Sequence, residues 1–423
     1  MNWVLIRNFA AFWIFGLANN YAYVIMLSSA EDIMDKQQNK NDTYVDKVCE
    51  EEITTRHCST MSTGAVLLAD ILPTLLIKAT FPFFLLRVPF GIRHLIVCLL
   101  QIASYFVVAF SVNVAMSLSG VILASAGAGL GELSYLALSS HFSNNMISAW
   151  SSGTGGAGIF GSLAYAGLTE PHLADLSPKT ALLVMLIVPI IFAIAYWFLM
   201  VLPPSVHTVN IIKPKTWLNP KIYPETIKVP PSPTWSEKSS PDSDIVDSSN
   251  TTIPPLLPYM IPLAIVYIGE YIINQGLTEL IFFNCSHGFS LSRKSQYRWY
   301  QVLYQLGVFI SRSSVNVIEL PRVVLYILPV LQMLNAIFFF FNAIYWFIPH
   351  ISIVFVLIIF EGLLGGASYV NTFNRIHKEV SPDVKEYCLS IASIGDSIGI
   401  VIAGFGAIPI HNIVCNKPLY SHV

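Results

Sequence analysis

Residues 123–166, LASAGAGLGELSYLALSSHFSNNMISAWSSGTGGAGIFGSLAYA, contain a single carboxylate, Glu132, within two glycine-rich apolar runs. A bilayer core of about 30 Å needs about 20 residues of helix, and each run is long enough to cross it. Glu132 is therefore expected at membrane depth. Because a charged group there is costly and usually functional, this stretch is the natural centre of a site.

Part of this stretch is repeated in the second half of the chain. Residues 130–136, LGELSYL, correspond to residues 364–370, LGGASYV, at an offset of 234 positions. The same offset aligns Lys78 with Arg312, the lone cations of two other apolar runs. Two shorter matches keep the same order, Gly158–Ile159 with Gly399–Ile400 and Asn19–Asn20 with Asn274–Gln275. Such a repeat predicts two similar helical bundles that face each other across a cavity.

The composition indicates an all-α polytopic membrane protein with a lipid bilayer as its partner. The 423 residues are 54% hydrophobic and 11% charged, against about 25% charged residues in soluble proteins. The net charge of −2 gives no indication of nucleic-acid binding. The chain has no motif with metal-ligand or phosphate-loop spacing, so no metal or cofactor is expected.

Apolar runs predict eleven transmembrane helices in two bundles. The first bundle, 1–202, has six helices and a loop at 29–61, and the second, 257–412, has five. Residues 203–256 are rich in Pro, Ser, Thr and Asp and predict a disordered cytosolic linker. Residues 413–423 are too polar to cross and are predicted to form a tail. An odd number of crossings places this tail in the lumen.

Orientation follows from the sequons and the basic residues. Asn41-Asp-Thr43 and Asn284-Cys-Ser286 follow the first and seventh predicted helices, which places both on one side of the membrane. Lys and Arg are in excess on the other side, as expected for cytosolic loops. We therefore expect glycans on Asn41 and Asn284 in the lumen and none on Asn250 in the linker. Cys49 and Cys58 share the lumenal loop and are candidates to pair with each other.

Polar residues inside the predicted helices indicate which helices line a cavity, because they must avoid lipid. The first, fourth, seventh and tenth helices carry many of them. The candidates for binding a solute or a coupling proton are Asn19, Asn20, Asp70, Lys78, Glu132, Glu270, Asn274, Gln275, Tyr304, Arg312, Glu361 and Asp396.

Several candidates have a structural alternative. The asparagines of the first helix can serve only as hydrogen bonds between helices. Lys78 and Arg312 lie towards the cytosolic ends and can instead snorkel to the interface, and Asp70 can pair with Lys78. Three glutamates nearer the middle of their helices favour function: Glu132, Glu270 and Glu361.

Residues 153–158, GTGGAG, match the letters of a dinucleotide-binding fingerprint, but no strand precedes them. Gly153, Ala157 and Gly161 instead form a small-xxx-small pattern, which predicts a close helix–helix contact.

Five longer segments resemble the battenin family, the membrane proteins of juvenile neuronal ceroid lipofuscinosis. They are STGAVLLADILPTL (62–75), SAWSSGTGGAG (148–158), YIINQGL (271–277), QYRWYQ (296–301) and EGLLGGASYVNTF (361–373). The resemblance implies a lysosomal or late-endosomal multi-pass protein with a major-facilitator-like fold and no established cofactor. It also implies a link to clearance of glycerophosphodiesters, to lumenal pH and to basic amino acids. Glu270, Arg312 and Asp396 lie within the matching region.

The leading functional hypothesis is a solute transporter, not an enzyme, that rocks its two halves. Arg312 or Lys78 would bind a small anionic solute such as a phosphodiester, and a glutamate would carry a coupling proton. The alternative is a non-transporting scaffold or regulator of lysosomal pH. A membrane-embedded hydrolase is disfavoured because His141 and His377 lie at helix ends.

Overall fold

The computed structural model describes residues 3–37, 49–53, 56, 58, 63–81, 88–169, 174, 176–209, 213–217 and 256–418. These residues form long helices and no strand. The first half consists of α1 (Trp3–Gln37), α2 (Thr63–Thr80), α3 (Phe90–Ala109), α4 (Val114–Ser139), α5 (Asn145–Thr169) and α6 (Pro178–Leu199). The second half consists of α7 (Leu257–Leu280), α8 (Arg293–Ser313), α9 (Arg322–Tyr345), α10 (Ile351–Glu379) and α11 (Pro382–Cys415).

The helices of the described residues coincide with the predicted apolar runs, so the all-α multi-pass fold is confirmed. Seven of them are long and apolar enough to cross a membrane, namely α3, α4, α6, α7, α9, α10 and α11. The helix α7 passes into a π-helical turn at Ile273–Leu277, which carries Asn274 and Gln275. Most of the predicted linker lies outside the described residues, but Val206 near its start is buried against the first half.

The two halves repeat the same packing. The contact of α1 with α5 corresponds to that of α7 with α11, and the contact of α2 with α4 corresponds to that of α8 with α10. Across the seam between the halves, α2 packs on α11 and α5 packs on α8, which are again equivalent pairs. The predicted pair of repeated bundles is therefore confirmed.

Close helix crossings depend on glycine. A Cβ atom on Gly153 of α5 would overlap the backbone oxygen of Trp13 in α1, and one on Gly362 of α10 would overlap that of Tyr304 in α8. Lipid provides no hydrophobic force between helices, so such close van der Waals contact is a main source of association. The predicted small-xxx-small face of α5 packs on α1.

Two disulfides join one end of the first half to the second half. Cys49 pairs with Cys285 after α7, and Cys58 pairs with Cys415 at the end of α11. The expectation that Cys49 and Cys58 pair with each other is wrong, because each meets a cysteine of the other half. Arg56 adds hydrogen bonds of 2.6 and 2.5 Å to the carbonyl oxygens of Ala343 and Ile344 at the end of α9.

The disulfides lie at the end of the molecule where α1, α7, α9 and α11 end. Disulfides persist in oxidising compartments and are rare in the cytosol. We call this end the lumenal end and the opposite end the cytosolic end, after the orientation that the sequence predicts. Asn284 lies in this end, beside Cys285, whereas Asn41 and Asn250 lie outside the described residues.

Buried apolar residues join the two halves at the cytosolic end. One core there combines Phe12 and Leu133 of the first half with Phe373 and Leu389 of the second. Towards the lumen the buried apolar residues form separate clusters, one within each half.

Candidate functional site

Lys78, Glu132 and Asp396 form a buried ion network across the seam. The Lys78 Nζ lies 2.6 Å from Glu132 Oε2 and 2.9 Å from Asp396 Oδ1, and donates to the Ser393 carbonyl oxygen at 2.9 Å. Lys78 is 1% exposed, so it does not snorkel to the interface. All three ammonium protons have partners, two of them from α11 in the other half.

Asp70 does not pair with Lys78, contrary to the structural alternative considered for it. It is fully buried in α2, and its electrostatic neighbours are Tyr23 of α1 and Tyr271 of α7. Its backbone oxygen accepts a hydrogen bond from Ser125. Asp70 thus belongs to a second, smaller polar cluster in the seam.

Tyr369 of α10 connects the ion network to the other half. Its hydroxyl group donates to Glu132 Oε1 at 2.9 Å and accepts from the Trp150 indole at 3.2 Å. The centre of its ring lies 4.2 Å from the guanidinium carbon of Arg312. Tyr369 therefore lies between a carboxylate and a cation.

Arg312 is held by neutral groups. It donates to Thr154 Oγ1 at 2.6 Å and to the Tyr267 hydroxyl at 2.9 Å, while its guanidinium stacks on Tyr369. Among the described residues no carboxylate lies within 4 Å of it. Arg312 is thus not an interfacial anchor, and the Glu270 carboxylate attracts it without forming an ion pair. We call Lys78, Glu132, Asp396, Tyr369 and Arg312 the central layer.

The carboxylates of the second half lie next to this layer. Tyr304 of α8 donates to Glu270 Oε1, and Asn274 of α7 donates to Glu361 Oε1 at 2.7 Å. The second oxygen of each of these glutamates has no hydrogen-bond partner within the described part of the chain. Gln275, in the same π-helical turn as Asn274, is also buried.

The two asparagines of α1 lie near the layer but make different contacts. Asn19 donates to the Ala128 carbonyl oxygen of α4 at 3.0 Å. Asn20 donates to Gly16 within α1 at 3.2 Å and remains partly accessible. Asn19 thus makes the kind of interhelical bond that its structural alternative describes.

Several residues of the site were not candidates from the sequence. Trp150, Thr154, Tyr267 and Tyr369 supply the neutral partners of the charged groups. In an apolar run, Trp, Tyr and Thr are ordinary core and interface residues, so their types carry little signal. Their presence near conspicuous glycine motifs was the available indication.

A second group of contacts closes the seam at the cytosolic end, and we call it the cytosolic gate. Its polar pairs are Asn144 with Asn374, Ser148 with Asn316, Ser139 with His377, and Arg93 with Glu386. The first residue of each pair belongs to the first half, and the second belongs to the other half. Opening towards the cytosol would have to break all of them.

Comparison with known proteins identifies a family and several related chains. The CLN3 protein family matches residues 10–417. Battenin of Canis lupus familiaris is 41% identical over 97% of this chain and 92% of its own length. Protein btn-1 of Neurospora crassa is 35% identical over 96% of this chain and 88% of its own length.

A solved structure shares the fold. The crystal structure of a bacterial homolog to the human lysosomal transporter Spinster, inward-facing and unoccupied, has a TM-score of 0.50. It is 14% identical and covers 96% of this chain and 81% of that chain. At this identity the likeness concerns the fold alone.

Proposed function

The chain belongs to the CLN3 protein family, and from this premise we propose that it is a transporter of the lysosomal or late-endosomal membrane. It moves a small anionic solute, such as a glycerophosphodiester, from the lumen to the cytosol by alternating access, together with a proton. We assign it no catalytic step. The observation that carries the proposal is the central layer, in which buried charges join two helical bundles whose apolar clusters are separate on the lumenal side.

Alternating access requires contacts that differ between two orientations of the halves. In the central layer, Lys78 binds Asp396, Tyr369 binds Glu132, and Arg312 binds Thr154, and each of these bonds crosses the seam. Rocking the halves must rearrange all three. A solute that binds in this layer can therefore influence which orientation is favoured.

Arg312 is better placed than Lys78 to bind the solute. Lys78 already faces two carboxylates, whereas the described neighbours of Arg312 are neutral. A guanidinium presents a planar fork of donors that fits the oxygens of a phosphodiester. The choice of a glycerophosphodiester rests on the family resemblance, and the choice of an anion rests on Arg312.

Glu132 is the leading group for the coupling proton. Its side chain is 14% exposed, whereas Glu270 and Glu361 are almost completely buried. It lies beside Lys78 and one ring away from Arg312, so its charge influences both cations. An acidic lumen would supply the proton, and the more neutral cytosol would receive it.

A non-transporting scaffold or regulator of lysosomal pH and basic amino acids is the second candidate. The observation that favours it is the complete pairing of Lys78, which is also typical of a purely structural ion network.

Uptake into proteoliposomes separates these candidates. The purified protein should transport at least one member of a panel of glycerophosphodiesters and basic amino acids, faster with a proton gradient. Glu132→Gln should keep exchange at equal pH but lose stimulation by the gradient, and Glu270→Gln and Glu361→Gln are tested beside it. Folded protein that transports no member of the panel would support the scaffold. An unchanged pH response in all three variants would exclude coupling through these residues.

The orientation also predicts glycosylation. Asn284 at the disulfide-bearing end, and Asn41 in the same lumenal loop as Cys49, should carry glycans, whereas Asn250 should not. Glycosidase treatment of the protein from cells should increase its electrophoretic mobility. Asn41→Gln and Asn284→Gln should each reduce this shift, and Asn250→Gln should not. A glycan on Asn250 would contradict a cytosolic linker.

A further inference from the structure

Tyr369 contacts both Glu132, the proposed proton carrier, and Arg312, the proposed solute-binding residue. Packing alone does not explain this position. We infer that Tyr369 is a positioning residue that opposes proton binding to Glu132 until an anion binds Arg312, so that proton and solute load together. This inference rests on the proposed function. It assigns Tyr369 a place in the order of events and requires no further ligand.

The direction of the Tyr369 hydrogen bond is set by its neighbour Trp150. An indole N–H can only donate, so the Tyr369 oxygen must accept from Trp150 at 3.2 Å. The hydroxyl proton is then directed to Glu132 Oε1 at 2.9 Å. A donor held in this direction stabilises the carboxylate more than the carboxylic acid.

The face of the Tyr369 ring contacts Arg312. The guanidinium carbon lies 4.2 Å from the ring centre, within the range of a cation–π interaction. Arg312 also donates to Thr154, which lies four residues after Trp150 and hence on the same face of α5. One side of α5 therefore holds both Tyr369 and Arg312 in position.

Among the described residues, the groups that act on Glu132 belong to the central layer. Lys78 comes from α2, Asp396 from α11, the Tyr369 hydroxyl from α10, and Arg312 from α8 behind the Tyr369 ring. Glu270 also acts on Arg312 and Asp396, so the two cations balance Glu132 and Asp396 when Glu270 carries its proton. A singly charged anion on Arg312 adds one negative charge, and one proton on Glu132 restores the balance. In a low-dielectric layer this balance favours joint loading.

The Tyr369 hydroxyl group influences how readily Glu132 binds that proton. While no anion is bound at Arg312, donation from Tyr369 and attraction by Lys78 oppose proton binding to Glu132, which limits the crossing of protons without solute. When an anion binds Arg312, its negative charge makes proton binding to Glu132 favourable. Because Glu132 and Tyr369 belong to different halves, rocking then breaks their hydrogen bond, and the protonated Glu132 no longer faces the Tyr369 hydroxyl group.

Tyr369→Phe tests this inference, since it keeps the ring and removes only the hydroxyl group. In proteoliposomes the variant should still transport the solute, but half-maximal stimulation should move to higher lumenal pH. It should also show a proton leak without solute, which the parent lacks. Trp150→Phe should shift the pH profile in the same direction by a smaller amount, because Tyr369 keeps its hydroxyl but loses the orienting donor.

Tyr267→Phe is the matched control, because Tyr267 also contacts Arg312. It removes a hydroxyl that contacts Arg312 but not Glu132, so it should raise the KM for the solute without moving the pH profile. A parent-like pH profile and no leak in Tyr369→Phe would overturn the inference, even if Glu132→Gln abolishes proton stimulation. Absence of transport by the parent protein would instead contradict the proposed function.

Discussion

At the scale of single residues, the central ion network depends on the balance of three charges. Lys78 lies between Glu132 and Asp396 with 1% of its side chain exposed. A buried ion pair adds little net stability compared with an apolar replacement, but removal of one partner leaves charge uncompensated. Loss of one charged member of the network should therefore destabilise the protein more than replacement of all three.

Lys78→Met should lower the free energy of unfolding by about 3–5 kcal/mol, because two adjacent carboxylates lose their counter-ion. The triple change Lys78→Met, Glu132→Gln and Asp396→Asn should recover much of this stability but not transport. Thermal unfolding in detergent measures the first effect, and proteoliposome uptake measures the second. A Lys78→Met variant as stable as the parent would show that Lys78 does not hold the halves together.

At the scale of elements, α5 has two functions that depend on close packing. Its glycine face lies against α1, and its opposite side presents Trp150 and Thr154 to the second half. Moving α5 away from α1 would therefore also move the partners of Tyr369 and Arg312. Packing and site geometry are coupled in this helix.

Gly153→Ala should destabilise the protein by about 1–3 kcal/mol, the usual effect of overpacking. The added methyl group would overlap the backbone oxygen of Trp13, which cannot move without moving α1. Gly167→Ala is the control within the same helix, because nothing lies within 4 Å of a Cβ atom there. Unfolding midpoints should fall for the first variant and stay constant for the second, and equal midpoints would argue against a close α1–α5 crossing.

At the scale of the whole molecule, the two ends differ in how they join the halves. At the lumenal end, disulfides tie the loop between α1 and α2 to the second half, so this loop must move with that half. At the cytosolic end, hydrogen bonds and a shared apolar core hold the halves together. The cytosolic contacts are reversible, as a gate requires, whereas the lumenal ties are covalent.

Cross-linking the cytosolic gate should stop transport without preventing solute binding from the lumen. Asn144 and Asn374 are hydrogen-bonded across the seam, so Asn144→Cys with Asn374→Cys places two thiols within reach of a short thiol-reactive cross-linker that forms reducible bonds. The cross-linker should abolish uptake, and a reductant should restore it, with the cross-linked peptide detected by mass spectrometry. Each single cysteine variant is the control. Continued transport by fully cross-linked protein would show that these residues do not separate.

Much of the architecture was accessible from the sequence, because length and apolarity are local properties of the chain. Runs of about 20 apolar residues specify helices in a bilayer, and the repeat from 130–136 to 364–370 indicated two equivalent bundles. The cost of charge in lipid also selected Lys78, Glu132 and Asp396 as important residues.

Which residues meet was decided only by the tertiary structure. Sequence spacing favoured a pair of Lys78 with Asp70 on its own helix and of Cys49 with Cys58 in its own loop, since these partners are closest along the chain. Packing of α2 on α11 brought Asp396 to Lys78, and the arrangement of the lumenal ends brought Cys285 and Cys415 to the loop. The physical reason is that hydrophobicity determines that a segment enters the bilayer, whereas the shape of close helix contacts determines its rotation and its neighbours.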